Sequence, residues 1–128
     1  MNNKVNHKQG FTLIELIMVI VVLGILAAVA VPKFIDLSAE AKGSAEKGVV
    51  GGIRAGLQTY YTAPATRGTF PATLDAATNA ACATANACFT TVLGQGGTTS
   101  DWTRVSNTSY TGPTGATYTY TPATGSFD

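Results

Sequence analysis

The chain is short of the side chains that do chemistry. Of its 128 residues one is histidine, two are cysteine, one is tryptophan, and only 12% are charged. The histidine is His7, among the first ten residues, so the rest of the chain has no imidazole for a general base, a catalytic triad or a zinc site. Cys82 and Cys88 lack histidine partners, which makes a poor metal site, and their spacing is not a redox C-x-x-C. Eight basic side chains against seven acidic ones leave no basic field for nucleic acid and no attraction for an acidic substrate. Gly94-Gln95-Gly96-Gly97 lacks the strand–GxxxxGK[ST]–helix context of a phosphate loop and reads as a turn. No catalytic residue, metal or cofactor is expected, and the composition argues against an enzyme.

What the chain does have is one long apolar run. Phe11 to Val31 is 21 residues, about 32 Å as helix, which matches a hydrocarbon core of about 30 Å. Lys4 and Lys8 precede the run and no acid occurs before Glu15, so the positive-inside rule leaves the first residues in the cytoplasm and the remainder outside. Glu15 lies within the run itself. An ionisable group at membrane depth is costly, and by default it marks a functional position.

The stretch Lys8-Gln9-Gly10-Phe11-Thr12-Leu13-Ile14-Glu15-Leu16 resembles the processing and assembly signature of type IV pilins, with the head more similar to the type IVa or mannose-sensitive-haemagglutinin kind than to a specific adhesin. The resemblance implies that residues 1–10 are a class III leader peptide, removed between Gly10 and Phe11 by a prepilin peptidase. It also implies that Phe11 becomes the N-methylated first residue, so the apolar helix stays in the product. Glu15 would then be the assembly residue, its carboxylate meeting the terminal amine of a neighbouring subunit. Removing the leader takes away Lys4 and Lys8 and leaves six basic side chains against seven acidic ones.

The implied partners are further copies of the chain in a helical filament, the peptidase, the inner-membrane assembly machinery, and the lipid bilayer before assembly. The implied location is the inner membrane for the precursor and subunit pool, then the cell surface for the pilus. Adhesion, motility, biofilm formation or DNA uptake would belong to the whole filament, and no direct nucleic-acid site is evident.

Competing readings share parts of this pattern. A pseudopilin of a type II secretion system carries the same amino-terminal signature, but usually has a calcium-binding loop and no disulfide. After Thr62 the acids are Asp75, Asp101 and Asp128, few for an ion that takes six to eight oxygen ligands. A secreted binding module with an ordinary signal peptide is a third reading, because Ala28-Val29-Ala30 fits an A-x-A cleavage site. The length of the apolar stretch and the presence of Glu15 count against it. A plain membrane anchor without leader removal is a fourth.

Beyond the run, Pro32 has no N–H and its ring crowds the carbonyl of Ala28, so a kink is expected there, with Gly24 a little upstream. In pilin filaments the helix is often locally unwound between equivalent positions. Phe34, Leu37, Ala41, Ala45, Val49, Ile53, Leu57 and Tyr60 then recur every three or four residues, and Asp36, Glu40, Lys47, Arg54 and Gln58 fall on the other side. Residues 32–62 therefore read as an amphipathic second half of the helix. Gly43, Gly48, Gly51, Gly52 and Gly56 conflict with helix propensity, each at about 1 kcal/mol against alanine. Close packing or a soft hinge would account for them. Pro64 ends the helix.

Residues 63–128 read as a small β-rich head. Strands are expected around Phe89–Leu93, Trp102–Val105 and Ala116–Thr121, with turns at 94–97 and 111–115. The expected fold is α+β: a long amino-terminal helix and a small antiparallel sheet packed on its second half, the lollipop of the pilins. So small a head needs a staple. Cys82 and Cys88, an even pair in an exported chain, read as a disulfide, with two free thiols in a flexible loop as the competing reading. Asn107-Thr108-Ser109 matches the N-glycosylation pattern, a match that arises readily by chance.

Overall fold

A computed structural model describes residues 10–128, so the leader call lies outside the described residues except at Gly10. The described chain contains a 50-residue helix, α1, over Leu13–Thr62. Four short strands follow: β1 at Thr103–Arg104, β2 at Ser109–Thr111, β3 at Thr117–Thr121 and β4 at Ser126–Phe127. The expected α+β class is what forms. The chain divides into two compact units, one up to Ser38 and one from Ala39 to Asp128.

In the first unit the helix is bare. Every large apolar side chain from Leu13 to Leu37 is exposed among the described residues, and the segment is long and apolar enough to cross a membrane. The helical run continues unbroken through Gly24 and Pro32.

The second unit holds the core. Its four strands form an antiparallel meander in the order β1-β2-β3-β4, and consecutive pairing needs only short turns. Register aligns Tyr110 with Tyr118 and Tyr120 with Phe127. Val50, Ile53 and Leu57 of α1 share one buried cluster with Leu74, Phe89, Trp102, Tyr110, Tyr120 and Phe127. Phe89 stands at its centre, 4.5 Å from the Tyr110 ring, 5.2 Å from Trp102 and 5.8 Å from Phe127. Such offset and edge-on aromatic contacts contribute about 0.5–1.5 kcal/mol each beyond area burial.

The structure corrects the sequence reading in three places. The segment 89–93 is a turn, not a strand. Phe89 takes a left-handed backbone, φ 64°, held by its N–H donating to Asp75 Oδ2 at 2.9 Å while its ring is wholly buried. Its apolar character serves the core rather than a ladder. Strands β2 and β4 were not anticipated, since three residues and two carry no readable alternation. The buried stripe of α1 also differs: Ala41 and Ala45 are exposed, and Glu46, Val50, Ile53 and Leu57 go inside.

Other elements fall where the residues place them. Helix α1 stops at Thr62, two residues before Pro64. The turn at 94–97 brings Thr98 back to exchange hydrogen bonds with Cys88 at 2.8 and 3.0 Å. Gly97 there has φ 82°, and a Cβ on it would collide with the Cys88 carbonyl. The helix glycines divide. Gly56 lies against the Val92 carbonyl with no room for a methyl group, whereas Gly48 and Gly51 face open space.

Candidate functional site

The first unit presents the amino-terminal site. Thr12 precedes the first helical residue, and the Glu15 N–H donates to its Oγ1 at 3.4 Å while the Leu16 N–H reaches its carbonyl at 3.3 Å. Thr12 is thus the helix N-cap and Glu15 the third helical residue, the spacing of a capping box. The T-x-x-E signal was present in the sequence and went unused there. An acid in the first turn also suits the positive end of the helix dipole. Gly10 and Phe11 lie just outside the cap, exposed, with Phe11 87% accessible. Gly10, Phe11 and Glu15 are therefore consecutive features of one exposed helix start. Among the described residues the ion pairs are Arg54–Asp128 and Arg104–Asp75, so the Glu15 carboxylate is paired with none of them.

The second unit carries two buried polar clusters that composition did not single out. Glu46, 3% exposed, accepts from the Thr114 N–H at 2.7 Å, the Thr114 hydroxyl at 2.9 Å and the Tyr118 hydroxyl at 2.7 Å. Burial pushes its pKa up, but the hydrogen bonds from Tyr118 and Thr114 outweigh it and hold the carboxyl below its ordinary value. The same carboxylate raises the Tyr118 pKa, because it accepts a hydrogen bond from the protonated phenol. Glu46 so ties the β2–β3 turn to the helix.

Asp75 anchors the other cluster. It accepts from the Phe89 N–H, from the Ala77 N–H at 3.1 Å and from the Tyr110 hydroxyl at 3.0 Å. Arg104 Nε stands 3.1 Å from Asp75 Oδ1, an ion pair too far off-line for a hydrogen bond. The guanidinium also donates to the Ala77 carbonyl, to Asn79 Oδ1 at 3.2 Å and to Asn107 Oδ1 at 2.9 Å. Asn107, read as a glycosylation motif, is therefore a partner of Arg104. Burial, then the charge of Asp75, drives the Tyr110 pKa upward. The Glu46 carboxylate is fully supplied with donors, whereas the Asp75 cluster leaves Arg104 Nε ion-paired without a hydrogen bond. Both clusters tie distant segments of the second unit together.

Cys82 and Cys88 form a disulfide. Its loop is pinned by Asn86, whose Oδ1 accepts from the Thr78 N–H at 2.7 Å and whose Nδ2 donates to the Thr78 and Ala81 carbonyls. Gly24 and Pro32 lie within α1, away from these clusters in sequence, and share no side-chain site with Glu15.

Residues 5–31 match the family model described as the prokaryotic N-terminal methylation motif. The chain is similar to type IV pilins. It is 40% identical over 65 residues to the fimbrial protein EcpC of Eikenella corrodens, covering 51% of this chain and 40% of that one. It is 64% identical over 33 residues to the type IV narrow pilus major component PilA5 of Thermus thermophilus, 26% of this chain and 28% of the relative. It is also 44% identical over 54 residues to the type II secretion system core protein G of Pseudomonas aeruginosa, 42% of this chain and 38% of the relative. These matches to pilin-like chains thus span less than half of each relative's length. No solved structure matches significantly.

Proposed function

We propose that this chain is a structural subunit that polymerises into a type IV pilus after leader cleavage and N-methylation, with no catalytic role of its own. The observation that carries the reading is Glu15: a lone acid at the capped start of a helix whose large apolar side chains are all exposed from Leu13 to Leu37. Moving that helix from lipid into a bundle exchanges one apolar environment for another and supplies little net drive. The acid differs, since at membrane depth it costs about 2.5–3.5 kcal/mol unpaired, and a terminal amine on the next subunit relieves that cost and sets axial register.

In this reading a prepilin peptidase cuts between Gly10 and Phe11, in the exposed segment ahead of the cap, and Phe11 is methylated. The apolar helix holds the subunit pool in the inner membrane until assembly carries the head to the cell surface. Gly24 and Pro32 are where the helix loosens as it enters the filament. The filament, with its motors, serves adhesion, motility, biofilm formation or DNA uptake.

Glu15→Ala tests the proposal. The variant is expected to be processed and membrane-bound but to yield few sheared fibres, since breaking a buried pair from one side costs about 3–5 kcal/mol. Wild-type fibre yield would refute the role of Glu15. Amino-terminal sequencing of the exported product adds a second readout: a start at methylated Phe11 supports the pilin, and a start at Val31 supports a secreted binding module.

The similarity to the secretion core protein keeps a pseudopilin as the second reading. Calorimetric titration of the full chain in detergent with calcium separates the two, with heat from a stoichiometric site favouring the pseudopilin.

A further inference from the structure

We propose that the Thr12 hydroxyl is the positioning group for leader cleavage: by capping α1 it keeps the Gly10–Phe11 bond out of the helix, where a peptidase can reach it. The inference rests on the processed-pilin reading above and gives that site a residue beyond the two that flank the cut. Helix α1 starts at Leu13, and Gly10, Phe11 and Thr12 ahead of it are exposed and carry no regular structure. The first rung of the helical ladder is the Leu16 N–H donating to the Thr12 carbonyl at 3.3 Å. No backbone donor among the described residues reaches the carbonyl of Gly10 or of Phe11.

Hydrophobicity alone does not set that start. Phe11 is as apolar as the residues that follow it, and at the edge of a bilayer an unpaired N–H favours adding rungs to the helix. One more rung would pair the Glu15 N–H with the Phe11 carbonyl, and the next would pair the Ile14 N–H with the Gly10 carbonyl. The Gly10 carbonyl is the one a peptidase attacks. Hydrolysis adds water across the Gly10–Phe11 bond, leaving a carboxyl group on Gly10 and an amine on Phe11. A carbonyl bonded inside a helix is not free for that attack. Here the Glu15 N–H is taken by Thr12 Oγ1 at 3.4 Å, so the hydroxyl occupies the donor that backward growth needs first. An N-cap residue also holds a non-helical backbone, which separates the cut from the apolar run. Only the backbone N–H of Glu15 enters this bond. Glu15→Ala therefore keeps the cap, in line with the processed but unassembled product expected of that variant. Cap and carboxylate serve successive steps, processing and then assembly.

The test incubates the full-length precursor, in vesicles of phosphatidylethanolamine and phosphatidylglycerol, with a prepilin peptidase and follows kcat/KM for release of residues 1–10. Thr12→Val keeps the shape but removes the acceptor, and it is expected to slow cleavage about fivefold, the equilibrium worth of a typical cap. Thr12→Ser and Thr12→Asn restore a cap acceptor and should cleave within about twofold of the wild type. Amide exchange on the uncut precursor gives a second readout: the Ile14 N–H should exchange more slowly in Thr12→Val, because the helix has grown back to Gly10. Cleavage of Thr12→Val at the wild-type rate would overturn the proposal and leave the pilin reading standing. So would a Thr12→Asn variant as slow as Thr12→Val, since the peptidase would then be reading threonine itself. A wild-type precursor left uncut between Gly10 and Phe11 would overturn both.

Discussion

Gly112 packs directly against the carboxylate of Glu46: a Cβ at 112 would stand 2.6 Å from Glu46 Oε2. The contact lets the backbone of the β2–β3 turn come close enough for Thr114 to donate twice to that carboxylate. Gly112→Ala must push the carboxylate away and leave it buried with lost donors, at a cost of about 1–3 kcal/mol. Urea denaturation of the full chain in detergent measures it. In a Glu46→Ala background the same glycine change should cost much less, because the two residues share one network.

Stability should fall in acid through Glu46. Its folded pKa lies below its ordinary value, so the unfolded chain takes up the proton first as pH falls. The contribution is complete above the unfolded value of about 4.5 and is lost as pH drops below that through the folded one. Glu46→Gln removes this acid-dependent part, so its unfolding midpoint should vary less with pH below about 5 than that of the wild type. An acid limb as steep as the wild type's would show that other carboxylates dominate.

Arg54 guards the open edge of β4. Its Nε and Nη2 donate to the Phe127 carbonyl at 3.0 and 2.9 Å, occupying an acceptor that an edge strand would otherwise offer to another chain. Its ion pair with Asp128 is exposed on both sides and contributes little. Arg54→Ala should therefore cost only about 1 kcal/mol, yet speed amide exchange at Phe127 and Asp128 and raise light scattering of concentrated samples. Arg54→Lys keeps the charge without the two-pronged donor and should restore solubility only in part.

Cys82 and Cys88 close a loop of six positions, and the chain-entropy estimate for so short a loop is about 2 kcal/mol. Replacing both by serine should lower stability by that amount, read as a shift of the denaturation midpoint. The half-sites Cys82→Ser and Cys88→Ser should each match the double variant, since either alone opens the loop.

How much of this was legible beforehand depends on how far apart the partners are. Pro64 and the residue before it mark the end of α1 by local sterics, and Gly94–Gly97 and 111–115 declare turns by themselves. The T-x-x-E spacing that places Thr12 and Glu15 is equally local, and reading Glu15 only as an assembly residue passed over it. Glu46 was invisible because its three donors sit 68 and 72 residues away. Arg104 and Asp75 were likewise unremarkable as single charges, and Phe89 suggested a strand because its left-handed backbone depends on an acceptor 14 residues earlier.

The amino-terminal half of α1 is written in adjacent residues: a cap, an acid and an apolar span, all set by nearest-neighbour sterics and by transfer from water. Folding decided the rest. Which face of α1 goes inside, which threonine strands pair, and which charges are buried all rest on contacts between residues far apart in the chain. Their energies exist only once desolvation and hydrogen bonding are settled together, as they are where Glu46 meets Thr114 and Tyr118.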